Sequence, residues 1–252
     1  MPEKIEMEII KHQAVSPEVR RLTLAGEITA QPGQFVQVGV TTSYDPFLKR
    51  PLSVHDWRAG ELTLLYRLAG RGTCLLSAKK VGESVTVVGP LGQGFPLGGQ
   101  RPAIVVAGGI GAAPLFFLLR SLQAAGKEVT FFYGARSAAE LVLREQFQAL
   151  ATSYVEATDD GSLGRKGLVT DLLQAALLTD KADIYACGPE PMLRAVAKLA
   201  AGYQCRCYVS LEAQMACGVG ACLGCVIPST NGTYVRVCVD GPVFAAEEVF
   251  AE

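Results

Sequence analysis

Ala103-Ile-Val-Val-Ala107, followed by Gly108-Gly-Ile-Gly111-Ala-Ala-Pro114, decides how the middle of this 252-residue chain folds. Five apolar residues in a row predict a strand buried on both faces, and the apolar run after Pro114, to about Ala125, predicts a helix. Strand, glycine loop and helix in that order form the unit on which dinucleotides bind, with the pyrophosphate at the start of the helix. The spacing is Gly-x-Gly-x-x-Pro, so the strict Rossmann fingerprint is not met. Pro114 suits the first helical turn, where its missing N–H would be unpaired anyway.

The alternation continues downstream. Residues 128–133 read as a second strand, Ser137-Ala-Ala-Glu140 as a capping box for a helix to about Leu150, and Val155 as the centre of a third strand. A helix is expected over 168–177, a strand over 183–187, a helix over 192–201 after the turn Gly188-Pro-Glu-Pro191, and a last strand over 205–210. This rhythm implies a parallel sheet with helices on both faces. Ligands of such sheets bind beyond the carboxyl ends of the strands, where Gly109, Gly111 and Cys187-Gly188-Pro189 fall. Cys187 is a candidate to touch a nicotinamide ring; a buried thiol at a strand end is the other reading. Arg136 is a candidate for an adenosine phosphate or ribose, and Asp159-Asp160-Gly161-Ser162 reads first as a turn.

Upstream, from residue 1 to about 98, short strands alternate with turn signals such as Pro32-Gly33, Arg58-Ala-Gly60 and Gly89-Pro90, which predicts a small antiparallel barrel. Arg50-Pro51-Leu52-Ser53 opens one of its strands. There an arginine can pair with phosphate and a serine hydroxyl can hydrogen-bond a flat heterocycle. Leu65-Tyr66-Arg67 ends another strand, and Gly70-Arg-Gly72-Thr73 leads into a short helix expected over 74–80 with Thr73 as its N-cap. Free N–H groups at a helix start attract pyrophosphate, although an ordinary capped helix on a barrel carries the same pattern.

Near the C-terminus, Cys217-Gly-Val-Gly-Ala-Cys222-Leu-Gly-Cys225 is answered by Cys238. The first three have the C-x4-C-x2-C spacing of a plant-type [2Fe-2S] site. Glycines 218, 220 and 224 let the loop wrap closely and turn N–H groups inward, and Ser229-Thr-Asn-Gly-Thr233 reads as a turn that returns Cys238. No histidine lies nearby, which excludes a Rieske-type site. Four-cysteine zinc and disulfides are the rivals; zinc favours two short C-x2-C pairs and only one is present, and nothing marks the chain as secreted. The other four cysteines, Cys74, Cys187, Cys205 and Cys207, read by default as small core residues.

Bulk composition agrees with ordered globular structure: half the residues are hydrophobic and 19% are charged. The net charge of −1 offers no basic field for nucleic acid or an anionic membrane. No apolar run approaches the ~20 residues of a membrane span, and the N-terminus lacks a signal core, so a cytoplasmic location is expected. The organisation is thus β plus α/β: an antiparallel β-barrel over 1–98, a parallel-sheet nucleotide-binding domain over 99–210, and a small cysteine module over 211–252 that is too small to form a core without metal.

Barrel, nucleotide sheet and cysteine module in that order resemble the ferredoxin-NADP reductase superfamily, and more narrowly the electron-transfer subunits of NAD-dependent dihydroorotate dehydrogenase B complexes. The motifs Arg50-Pro-Leu-Ser53, Tyr66-Arg67, Gly72-Thr73, Gly89-Pro-Leu-Gly-Gln-Gly-Phe95, Gly108-Gly-Ile-Gly111, Thr158-Asp-Asp-Gly-Ser162, Cys187-Gly-Pro189, the cysteine set and Val239-Asp-Gly-Pro-Val-Phe244 carry the resemblance. It implies that Arg50 meets the FAD pyrophosphate, that Ser53 approaches the reactive flavin nitrogen, and that Gly72 and Thr73 hold the diphosphate. Leu52 stands where many relatives stack an aromatic ring on the flavin. Gly109, Gly111 and the Cys187 loop would place nicotinamide against the flavin, and Cys217, Cys222, Cys225 and Cys238 would hold the cluster. The family's electron route runs from dihydroorotate to FMN on a catalytic partner subunit, then through [2Fe-2S] and FAD to NAD+, in pyrimidine biosynthesis. His12 and His55, the only histidines, sit in no recognisable acid–base setting, so the dihydroorotate chemistry is expected on that partner, in a complex of two copies of each chain. Reductase subunits serving a glutamate synthase-like, sulfide or sulfite-reducing flavoenzyme, and a zinc-stabilised nucleotide-sensing module, are the other readings.

Overall fold

The computed structural model describes residues 2–41 and 45–251. Six strands, β1 (Glu3–Ala14), β2 (Val19–Ala25), β3 (Phe35–Val38), β4 (Arg50–Arg58), β5 (Glu61–Arg67) and β6 (Ser84–Leu91), close into an antiparallel barrel of order β1-β2-β5-β4-β3-β6. Alternating inward residues such as Val85 and Val87 on β6, with Met7, Ile9, Leu22, Leu24, Leu62 and Leu64 on other strands, fill its interior. The helix between β5 and β6, α1 (Arg71–Ser77), begins three residues earlier than the sequence predicts. Gly70 is its N-cap, and Thr73 lies inside the first turn. The Thr73 hydroxyl accepts from the N–H groups of Ala69 (2.9 Å) and Gly70 (3.2 Å), so it caps from the N3 position, reaching back to the N-cap backbone, and is not itself the N-cap residue.

The second half builds β7 (Ala103–Gly108), α2 (Leu115–Ala124), β8 (Val129–Ala135), α3 (Arg144–Gln148), β9 (Ser153–Thr158), β10 (Arg165–Lys166), α4 (Val169–Leu177), β11 (Asp183–Cys187), α5 (Glu190–Gly202) and β12 (Cys207–Ser210). Their sheet runs β10-β9-β8-β7-β11-β12 in parallel, with apolar cores on both faces. The expected capping box at Ser137 does not form. A single 3-10 turn over Ala138–Glu140 is followed by extended Leu141 and left-handed Leu143 before the short α3. Leu141 and Val142 are buried, and placing them in the core outweighs a continuous helix. The Glu140 carboxylate, which a capping box would need, accepts from Arg136 Nε at 2.8 Å.

The C-terminal residues form the hairpin β13 (Val226–Pro228) and β14 (Tyr234–Arg236), then β15 (Val243–Ala245) and α6 (Ala246–Val249). β15 pairs antiparallel with β12 as the seventh strand of the large sheet, and Val237, Cys238, Phe244, Val249 and Phe250 share one core with α4 and α5. The cysteine segment is therefore woven into the second domain's core. Among the described residues no helix is long and apolar enough to cross a membrane.

Barrel and sheet meet at His55, 2% exposed, whose Nδ1–H donates to the Ala113 carbonyl at 2.8 Å while the ring stacks on Phe116 at 4.6 Å. Burial lowers its pKa from 6.5 to about 4, against the opposing pull of the Ala113 hydrogen bond. The unfolded chain takes up this proton as pH falls below about 6.5, whereas the folded chain resists until about 4, so stability from this group is lost between those limits. We expect about 2 kcal/mol less unfolding free energy at pH 5 than at pH 7, measured by urea titration, and a flatter profile in His55→Gln.

Candidate functional site

The order of the large sheet reverses between β7 and β11, whose neighbours extend to opposite sides, and a cleft of about 690 Å³ opens at their carboxyl ends. Gly108 to Gly111, Gly134 to Arg136, Asp159, Gly188, Pro189 and Arg67 line it. Of the sequence-predicted positions, Gly109, Gly111, Gly188, Pro189 and Arg67 thus come together in one place. Gly111 lies so close to the Cys187 loop that a Cβ would fall 2.5 Å from the Cys187 carbonyl oxygen, so the two loops pack backbone to backbone. Cys187 lies beneath, 3% exposed, and burial, with Glu212 nearby, pushes its thiol up to about 12. It is a neutral thiol buried at the end of β11 and does not itself line the cleft, which answers to the buried-thiol reading of the sequence. Three acids went unread as cleft residues in the sequence: Glu140, assigned to a cap, Asp159, assigned to a turn, and Glu212, given no role.

The barrel carries the second set. Arg50, Pro51, Leu52 and Ser53 pair with β3, but the β4–β5 ladder stops at Val54 and Leu64. Beyond that point Arg50–Ser53 and Leu65–Arg67 run on as separate walls, leaving unpaired backbone edges facing an opening. Pro51, with no N–H to offer a ladder, suits this splayed end. Side chains of Leu65 and Tyr66 turn away from it: Leu65 packs with Val19, Ala113 and Val142, and the Tyr66 hydroxyl lies 2.9 Å from His12 Nε2. Arg50 crosses to the start of α1, where a Cβ on Gly72 would come within 2.7 Å of its Nε. Arg50 Nη2 donates to the Leu48 carbonyl, whereas Nε is buried with no partner. An orphaned guanidinium N–H beside the first turn of α1 is a poor way to fold and a good way to hold phosphate, so these residues fit an FAD diphosphate.

The cysteine loop is the third set. Gly218 and Gly220 adopt φ of 72° and 79°, which glycine alone takes without strain, while the third left-handed residue is Leu223 and not Gly224. Cys217 and Cys222 lie within hydrogen-bonding reach of each other, as do Cys225 and Cys238. Partial burial works to raise the Cys217 thiol, but N–H groups of Val219 and Cys222, each 3.4 Å from Sγ, bring it down to about 6. Burial, with the Cys225 thiol alongside, pushes Cys238 up to about 12. Among the described residues no three His, Cys, Asp or Glu side chains converge on one point as a single tetrahedral zinc requires. Two cysteine pairs fit two irons better than one zinc. Cys222 is exposed, as are Val219 and Leu223 on the same loop and Val226 and Tyr234 on the hairpin after it, whereas Cys225 and Cys238 are buried.

Gln37 joins the second and third sets. This 3% exposed β3 residue sits in register with Pro51, donates through Nε2 to the Ala216 carbonyl at 3.3 Å, and occupies the space a Cβ on Gly218 would need. The cysteine loop is thereby held on the strand next to the splayed Arg50–Ser53 wall.

The family described as the iron-sulfur cluster binding domain of dihydroorotate dehydrogenase B matches residues 212–250, and the oxidoreductase NAD-binding domain matches 105–198. The chain is 44% identical to the dihydroorotate dehydrogenase B (NAD(+)) electron transfer subunit of Bacillus caldolyticus, over 96% of this chain and 97% of that one. With its Geobacillus sp. (strain WCH70) counterpart it shares 41% identity over 99% of each. A solved NADH-dependent reduced ferredoxin-NADP oxidoreductase, studied for flavin-based electron bifurcation, superposes with a TM-score of 0.86 at 31% identity, covering 96% of this chain and 89% of that chain. The ferredoxin reductase of carbazole 1,9a-dioxygenase, at 24% identity and a TM-score of 0.69, shares the fold of 81% of this chain and 67% of its own. Identity near 44% over almost the whole length, with both domain descriptions in matching places, decides the assignment: this chain belongs to the family of dihydroorotate dehydrogenase B (NAD(+)) electron transfer subunits.

Proposed function

We propose that this chain passes electrons from a dihydroorotate-oxidising partner subunit to NAD+. The observation that carries the reading is the Gln37 link, which holds the four-cysteine loop on the barrel strand beside Arg50–Ser53. Nicotinamide exchanges a hydride, an iron–sulfur cluster passes single electrons, and a flavin between them does both. Arg50, Gly72 and Thr73 hold the FAD diphosphate; the backbone edges of Pro51, Leu52, Ser53, Leu65, Tyr66 and Arg67 frame its ring. Gly109, Gly111, Gly188 and Pro189 admit NAD above Cys187, and Cys217, Cys222, Cys225 and Cys238 ligate the cluster. The boundaries near residues 98 and 210 separate the three cofactor sites along the chain. Both histidines are committed, His12 to Lys79 and Tyr66 and His55 to Ala113, so the base that deprotonates dihydroorotate belongs to an FMN-bearing partner. The exposed surface around Cys222 is the face offered to that partner, in a cytoplasmic complex of two copies of each chain.

Anaerobic reconstitution with a catalytic FMN subunit from the same source tests this. NAD+ reduction by dihydroorotate is expected from the mixture and from neither chain alone. An inactive mixture, despite spectra showing bound flavin and cluster, would move the assignment to another flavoenzyme partner.

A further inference from the structure

Two cations line the sheet cleft, Arg67 and Arg136, against three acids, Glu140, Asp159 and Glu212. Arg136 follows β8 at the rim. Its guanidinium donates to Glu140 Oε1 through Nε at 2.8 Å and through Nη2 at 2.6 Å, while its side chain remains largely exposed. The second carboxylate oxygen of Glu140, Oε2, turns toward the nucleotide loop, 3.6 Å from where a Cβ on Gly109 would stand. Glu18 and Asp159 add negative charge around the same guanidinium. The cation that a phosphate at this rim would need is thus already neutralised, and the oxygens beside it are acceptors.

Resting on the reading of this cleft as the NAD site, we propose that Glu140 sets the preference for NAD over its 2′-phosphorylated form by occupying Arg136. A ribose 2′-hydroxyl donates to a carboxylate, whereas a 2′-phosphate carries nearly two negative charges and offers only acceptors. Glu140 therefore favours the diol and repels the phosphate, and the local 3-10 turn that replaced the expected capping box is what brings the carboxylate back to Arg136. The same pair is an i,i+4 pairing on the chain, yet its partner elements and the Gly109 loop meet only in the folded sheet.

The test is calorimetric titration of the FAD- and cluster-loaded chain with 2′,5′-ADP and with 5′-ADP, comparing the ratio of their affinities. Glu140→Gln is nearly isosteric and removes only the charge. It should raise the ratio in favour of 2′,5′-ADP about tenfold and steepen the salt dependence of 2′,5′-ADP binding. Adding Arg136→Ala should abolish that gain, whereas Arg136→Ala alone should leave the ratio within about twofold, because the guanidinium is already engaged. An unchanged ratio in Glu140→Gln, or a gain that survives Arg136→Ala, overturns the proposal. Failure of 5′-ADP to bind the parent chain overturns the nucleotide-site reading and the proposal with it, whereas 2′,5′-ADP binding to the parent as tightly as 5′-ADP overturns the proposal alone.

Discussion

Cys222→Ser leaves NADH-dependent dye reduction near the parent rate and stops electron delivery to the partner subunit. The side chain is exposed and contributes nothing to the core, so the bare fold should lose no more than about 0.5 kcal/mol. Its sulfur lies within hydrogen-bonding reach of Cys217 and accepts from the Gly224 N–H at 3.5 Å, which keeps it beside a second proposed ligand and outside the packing. Losing a first ligand costs more than the 10–100-fold typical of supporting residues, so partner-linked NAD+ reduction should fall at least about a hundredfold. Iron analysis and the cluster's visible absorption should fall in step, while bound FAD stays, because the Arg50 opening lies on the barrel. β15 remains paired with β12, so thermal unfolding of the variant should still be cooperative. Partner-linked turnover at the parent rate would break the electron route proposed for this chain.

Most of the architecture was legible because periodicity is a local signal. Ala103-Ile-Val-Val-Ala107 could only be a strand covered on both faces, and it is the centre of the sheet. The alternation of β6 and the turn dipeptides marked the barrel for the same reason. Ser137-Ala-Ala-Glu140 misled because a capping box is read from four residues, while the winning contacts came from elsewhere: Arg136 took the carboxylate, and the Ser162 hydroxyl accepts from the Ala138 N–H at 2.8 Å. At Thr73 the residue type was right and the role shifted by one turn. A hydroxyl can bond to the chain before a helix or to its first turn, and composition does not separate the two.

What escaped the sequence is register across distant strands. Nothing near Gln37 distinguishes a strand glutamine facing solvent from one buried against residue 216, 179 positions away. The splayed ends of β4 and β5 are likewise a property of two strands together, although Pro51 was a clue, since a residue without an N–H is at home where a ladder ends. The cysteine spacing favoured a [2Fe-2S] site over zinc and disulfides, yet the weaving of the segment into the sheet through β15 was invisible. A three-residue strand has too short a pattern to read, and its pairing partner, β12, ends 33 residues earlier in the chain than β15 begins.

Arg50→Ala should release FAD without harming the empty barrel. Its Nε is the one buried side-chain nitrogen or oxygen among the described residues that lacks a partner, a condition that costs roughly 1–3 kcal/mol in a folded chain. A fold tolerates such a group where a ligand satisfies it, and the neighbouring Gly72 keeps the approach open. Charge-assisted bonds to phosphate contribute about 1.5–3 kcal/mol each, so losing the guanidinium should weaken FAD binding about a hundredfold, measured as quenching of flavin fluorescence on addition of the apo chain. The thermal midpoint of the apo chain should stay level or rise, because an unsatisfied buried donor has gone. Arg50→Lys should fall between, keeping the charge but losing the fork that can bridge two phosphate oxygens. Loss of apo stability together with flavin would mean that Arg50 holds the barrel itself; parent-like FAD affinity would place the flavin away from the opening between β4 and β5.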